Sequence, residues 1–152
     1  MSVKNEYLEL TVDKFTFRVA TDRFYSMEGV WAREGEGGVV IGLSDFLQQR
    51  SGDVAFAEIK PVGTQLKDGD EVAVIETIKV NISLSSPVSG KILDVNKNLE
   101  NAPEIINQNP YGDGWLALIA PANWSADQAK LLSPQAYLEQ MRQVVDAEAR
   151  NR

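Results

Sequence analysis

Among the 152 residues there is no histidine and no cysteine. The first absence removes the side chain that most often acts as a general base near neutral pH, and the commonest metal ligand. The second removes a thiol nucleophile, a disulfide framework and a zinc–thiolate site. Redox or acyl chemistry can therefore reach this chain only through something bound or attached. Positive charge is also scarce, with 15 Lys and Arg against 22 Asp and Glu, a formal net charge of −7. That balance argues against a nucleic-acid binder, which presents a basic patch, and suits docking onto partners with basic surfaces. No run approaches the roughly 20 apolar residues of a membrane span. The start, Met1-Ser2-Val3-Lys4-Asn5-Glu6, leads into no apolar signal region, so a cytoplasmic protein is expected.

What is present reads as one compact, mainly β domain with short helices and a C-terminal helix. Tyr7, Leu8, Leu10 and Val12 partly alternate, as do Phe15, Phe17 and Val19, and both runs are expected to form edge strands of an N-terminal extension over 1–23. Trp31 and Ala32, the turn Gly35-Glu36-Gly37-Gly38 and the run Val39 to Leu43 predict a hairpin. Ser44-Asp45 can cap a short helix that Gly52 ends. Short strands follow at Val54–Ile59, Val72–Ile75, Ile82–Leu84 and Ile92–Val95, with an Asp68-Gly69 turn between the first two. Asn101-Ala102-Pro103 is expected to open a short helix carrying Ile105 and Ile106, and Trp115 to Ile119 a final strand. Beyond a central domain over 24–121, the segment 122–152 reads as helical. Ser125 and Gln128 have capping-box spacing, Ser133-Pro134 is a second start signal, and Tyr137, Leu138, Met141, Val144 and Val145 make an apolar stripe. That stripe either packs on the β core or docks a partner.

Lys79 stands between two strand-like runs, in Ile75-Glu76-Thr77-Ile78-Lys79-Val80, with Ser86-Pro87-Val88-Ser89-Gly90 just beyond. A lysine held on such a turn is suited to carry a covalently attached group. The acids Asp45, Asp53 and Glu58 show no spacing of a catalytic pair and read as solvated carboxylates.

Several segments in order carry a resemblance. They are Val39 to Phe46, Gly52-Asp53-Val54 through Val62-Gly63, Glu76-Thr77-Ile78-Lys79-Val80, Ser86 to Gly90, Asn96 to Glu100, and Asn109 to Leu116. The third is similar to a Glu-Ser-Val-Lys-Ala lipoylation motif. From Phe24 to Pro121 the pattern resembles the lipoyl-carrying H protein of the glycine cleavage system. The resemblance implies a lipoyl/biotinyl hammerhead-type flattened β-barrel or sandwich and lipoic acid joined to Lys79 at a hairpin tip. Glu76, Thr77, Ile78 and Val80 supply the context of the attachment motif. A non-catalytic carrier needs only to position and shelter the cofactor that does the chemistry. The implied partners are a lipoylating enzyme and the enzymes that act on the arm.

The chain also departs from that family. Where its members read His-Glu-Trp, a region near the cleft that shelters the loaded arm, this chain has Gly29-Val30-Trp31. Val80-Asn81-Ile82 replaces an alanine-rich continuation. On these departures the chain is similar to divergent H-like lipoate-binding proteins of sulfur oxidation, which work with a heterodisulfide-reductase-like complex. That expectation is placed ahead of an aminomethyl carrier serving the glycine cleavage P, T and L proteins. A biotin carrier, which places methionines where Ile78 and Val80 stand, and an unmodified interaction module are the remaining readings.

Overall fold

The computed structural model describes residues 6–151. Eleven strands and four α-helices follow one another in it. The strands are β1 (Tyr7–Val12), β2 (Phe15–Ala20), β3 (Phe24–Tyr25), β4 (Val30–Gly35), β5 (Gly38–Leu43), β6 (Val54–Ile59), β7 (Gln65–Leu66), β8 (Glu71–Thr77), β9 (Asn81–Ser85), β10 (Gly90–Val95) and β11 (Ala117–Pro121). The helices are α1 (Asp45–Ser51), α2 (Ile105–Gln108), α3 (Trp124–Lys130) and α4 (Pro134–Arg150).

Two sheets form the body. One has six strands in the order β3-β4-β5-β11-β10-β7, and the other has three in the order β6-β8-β9. Alternation along the strands sends Val39, Ile41, Leu43, Ile92 and Ile119 of the first sheet, and Val54, Ala73, Ile75 and Leu84 of the second, into one buried cluster, which Val72 joins at an irregularity in β8. Both sheets are open, so the architecture is the sandwich of the two expected forms.

A second core lies outside this sandwich. The β1–β2 hairpin makes a sheet of its own. Its Phe17, Val19 and Ala20 meet Tyr25, Trp31, Phe46, Tyr111, Tyr137 and Met141 in a buried aromatic cluster. The apolar stripe of α4 is thus spent on this cluster, with Leu138, Val144 and Val145 packed at its margin. Arg23, itself buried, lies over the Trp31 ring at 4.5 Å and donates to the Tyr111 carbonyl at 3.0 Å. A buried cation is tolerable when paired and hydrogen-bonded in this way.

Some local expectations shift. The Asn101-Ala102-Pro103 start is displaced, because a 3-10 turn over Lys97–Glu100 precedes it and α2 begins at Ile105 with Glu104 as its cap. Asn123, not Ser125, caps α3, and its side chain accepts the N–H of Ala126. Ser125 lies inside that helix. The last strand starts at Ala117, since Asn96 draws the Asp113 and Trp115 carbonyls into bonds to its amide. Asp45 is more than a solvated carboxylate. It accepts the backbone N–H of Arg18 at 2.9 Å and ties α1 to the N-terminal hairpin.

Candidate functional site

The β8–β9 hairpin pairs Ile75 with Ile82 and Glu76 with Asn81, which leaves Thr77 to Val80 to make the reversal. Thr77 organises it. Its Oγ1 accepts the N–H of Lys79 at 3.2 Å and of Val80 at 3.0 Å, while its own N–H and hydroxyl donate to the Val80 carbonyl at 2.8 and 3.1 Å. A threonine side chain is thereby used as a turn-closing acceptor. Thr77 is buried, whereas Ile78, Lys79 and Val80 are exposed, with Ile78 75% accessible. Two apolar neighbours held in water around an exposed lysine make a surface that another protein can read. Glu76 is exposed beside them.

The tip is braced from below. Ile78 N–H donates to the Asp53 carbonyl at 3.2 Å. The Gly52–Asp53 loop is itself held by Asn107, whose amide donates to the Gly52 carbonyl and to Gln48 Oε1, both at 3.0 Å, and whose Oδ1 accepts the Val54 N–H at 2.8 Å. Gly52 ends α1 at φ +91°, and a Cβ there would stand 3.2 Å from Lys79 Cε. The lysine stem lies across bare glycine backbone. Beside it is a groove of about 310 Å³ lined by Phe15, Phe17, Gln49, Arg50 and Lys79. An attached acyl chain fits this setting, with an exposed amine to form the amide, a floor without a side chain, and apolar space alongside. A larger hollow of about 390 Å³, walled by Trp31, Arg33, Tyr111 and Trp115 among others, shares no residue with this groove.

At the departure from the His-Glu-Trp pattern, Gly29 has φ +101°, and a Cβ would stand 2.7 Å from the Tyr137 hydroxyl. That hydroxyl is hydrogen-bonded to Ser44 Oγ at 2.7 Å. Val30 is fully buried in the main core. Gly29 therefore serves the close approach of α4, Val30 serves the main core, and neither side chain offers a polar group. A hollow lined by Met27, Glu28, Phe46 and Tyr137 among others holds about 80 Å³.

A family model described as glycine cleavage H-protein matches residues 23–144. The chain belongs to the glycine cleavage H-protein family. It is 39% identical to a glycine cleavage system H protein of an Anaeromyxobacter species over 78% of this chain and 92% of that protein. It is 37% identical to one from Thermus thermophilus over 86% and 98%. The crystal structure of an H protein from Mycobacterium marinum superposes with a TM-score of 0.72 at 28% identity, covering 79% of this chain and 96% of that one. H proteins are non-catalytic lipoyl carriers, with lipoic acid held covalently on a lysine, and this chain is such a carrier. The sulfur-oxidation reading that the sequence placed first gains no support from these relatives, whose names favour glycine cleavage instead. Among the described residues no helix is long and apolar enough to cross a membrane, and no group of three acids gathers as a metal site.

Of the motif residues, Lys79, Glu76, Ile78 and Val80 stand together at the hairpin tip with Thr77 beneath them. The brace of Asn107 and the walls Gln49 and Arg50 were not singled out in the sequence, and Phe15 and Phe17 were read only as part of an edge strand. A threonine at the first position of a reversal is a readable signal for the clamp. Nothing local marks Asn107, which acts 28 residues from Lys79 in the chain.

Proposed function

We propose that lipoic acid is attached to Lys79 Nζ and that the protein is the aminomethyl carrier of the glycine cleavage system, moving its arm among the P, T and L proteins. The observation that carries this reading is an exposed lysine on a clamped, braced hairpin tip in a chain of the H-protein family. The dithiolane, when attached, supplies thiol–disulfide exchange and group transfer. The chain's own part is positional. Thr77 fixes the turn so that a lipoylating enzyme meets Lys79 in one geometry, and Ile78 and Val80 offer that enzyme apolar contact. The hairpin then presents the arm to each partner as a tethered group, at an effective concentration on the order of millimolar.

Fully buried Val30 and side-chain-free Gly29 favour a second reading, because neither can hydrogen-bond a loaded amine. A sulfur adduct on the arm would not need such a partner. Peptide mapping of the protein from its native source, with thiols alkylated at once, separates the two. An aminomethyl adduct at Lys79 supports glycine cleavage, and added sulfur atoms support sulfur transfer. Exchange of glycine carboxyl carbon in the presence of a P protein should be lost in Lys79→Arg. Full function of Lys79→Arg in cells would instead indicate an unmodified interaction module.

A further inference from the structure

The six-stranded sheet has a second face, turned away from the sandwich core. Val30, Ala32, Val39 and Ile41 point into that core, so alternation sends Trp31, Arg33 and Val40 to the opposite side. There the strand register builds one row. Arg33 pairs with Val40, Val40 with Leu118, and Leu118 with Asp94, across β4, β5, β11 and β10. The row reads cation, two apolar residues, anion, and strand spacing puts its ends roughly 14 Å apart. Neither end residue takes part in an ion pair among the described residues. Over the row stands the hollow of about 390 Å³, with Trp31, Tyr111 and Trp115 as its aromatic walls. Trp31 is locked in place. Its ring lies against Gly42, where a Cβ would collide with it, and its Nε1 donates to the Pro110 carbonyl at 3.0 Å. Arg33 is left with a deficit. Its Nε is buried and has no hydrogen-bond partner among the described residues, and a buried donor left unpaired is costly.

We propose that this hollow binds a small monocarboxylate with a flat apolar body, held by Arg33. A carboxylate that meets the guanidinium side-on takes one N–H from Nε and one from a terminal nitrogen. That bidentate contact pairs the orphan donor. Val40 and Leu118 form an apolar floor for the body of the ligand, and the three rings offer faces and edges against which a planar group packs. Asp94 at the far end of the row disfavours a second negative charge, as does the net charge of −7. The class is therefore a monoanion, and a phosphate dianion fits it poorly. The proposal does not rest on what Lys79 carries, because the hollow shares no residue with the groove beside that lysine.

The test titrates the full chain with sodium phenylacetate at constant ionic strength and follows its amide and indole N–H resonances by NMR. Saturable shifts are expected at the Trp31 and Trp115 indoles and at the amides of Arg33 and Leu118. The indole of Trp124, which lies against Phe24 outside the hollow, should stay unmoved. Arg33→Lys keeps the charge but loses the Nε–H, and it should weaken binding about tenfold or more. Arg33→Met should weaken it at least as much. Phenylethanol, the same body without the carboxylate, and inorganic phosphate should give no saturable shift. Shifts that stay linear with phenylacetate concentration, or equal affinity in the parent protein and Arg33→Lys, overturn the proposal. So does saturation by phenylethanol or phosphate at the same resonances. If either variant melts early, phenylacetate against phenylethanol on the parent protein decides alone.

Discussion

Thr77 acts at the scale of a single side chain. Its hydroxyl carries the Lys79 and Val80 amides and returns a bond to the Val80 carbonyl, so its loss frees the tip at several points. Thr77→Val keeps the shape and removes the hydroxyl. It should cost about 1–2 kcal/mol in urea unfolding and slow lipoylation of Lys79, while Thr77→Ser should preserve both. Equal lipoylation rates in all three proteins would show that the clamp is irrelevant to recognition. Gly29 and Val30 give the opposite kind of test. The double change Gly29→His with Val30→Glu rebuilds the family's polar pair, but it drives one side chain into Tyr137 and puts a carboxylate into the main core. Destabilisation of about 3 kcal/mol or more is expected, read as a lowered thermal midpoint. The departure from His-Glu was legible in the sequence. Its cause was not, because Tyr137 lies 108 positions from Gly29.

At the scale of the element, α4 shows how periodicity and packing divide the work. Ser133 and Pro134 mark its start, and the Ser133 hydroxyl accepts the Ala136 N–H at 3.2 Å. The stripe predicts a buried face but not the surface that receives it. That surface is the aromatic cluster completed by the β1–β2 hairpin. Tyr137 stacks on Tyr25 at 4.5 Å, and Met141 is buried. Met141→Ala should cost about 2–4 kcal/mol by the cavity it leaves, whereas Arg142→Ala, on the exposed side, should fall within about 0.5 kcal/mol of the parent protein. Denaturant midpoints measured side by side decide this. Comparable losses would mean that the stripe is not the packed face. The misread caps have the same root. Ser125 had the right spacing, but Asn123 comes first along the chain and is positioned by the end of β11.

Across the whole molecule, the aromatic core sets an alkaline limit. Burial holds the phenols of Tyr25 and Tyr137 above the ordinary range and pushes that of Tyr111 up to about 12. In the unfolded chain the same groups ionise near pH 10. Their contribution is therefore fully present below about pH 10, and it falls as pH rises further because the unfolded state then binds fewer protons than the folded one. Thermal midpoints should decline from about pH 10 upward, and in a Tyr7→Phe background tyrosinate absorbance and loss of ellipticity should change together. Tyrosinate appearing well before any loss of structure would show that these phenols are open to water.

The sequence alone determined most of the strands, the β4–β5 hairpin, the Ser44 and Ser133 caps, the family, and Lys79 as the residue to watch. The strands, hairpin and caps depend on alternation, helical spacing or turn chemistry within a few residues, and the family on the resemblance of several motif segments in order along the chain. Only the tertiary structure decided what surrounds that lysine. The groove joins Phe15 and Phe17 to Gln49, Arg50 and Lys79, and the brace adds Asn107. Those residues share no local pattern. They meet because two apolar faces, one on the N-terminal hairpin and one on α4, must leave water together, and the surface they cover lies next to the hairpin that carries Lys79.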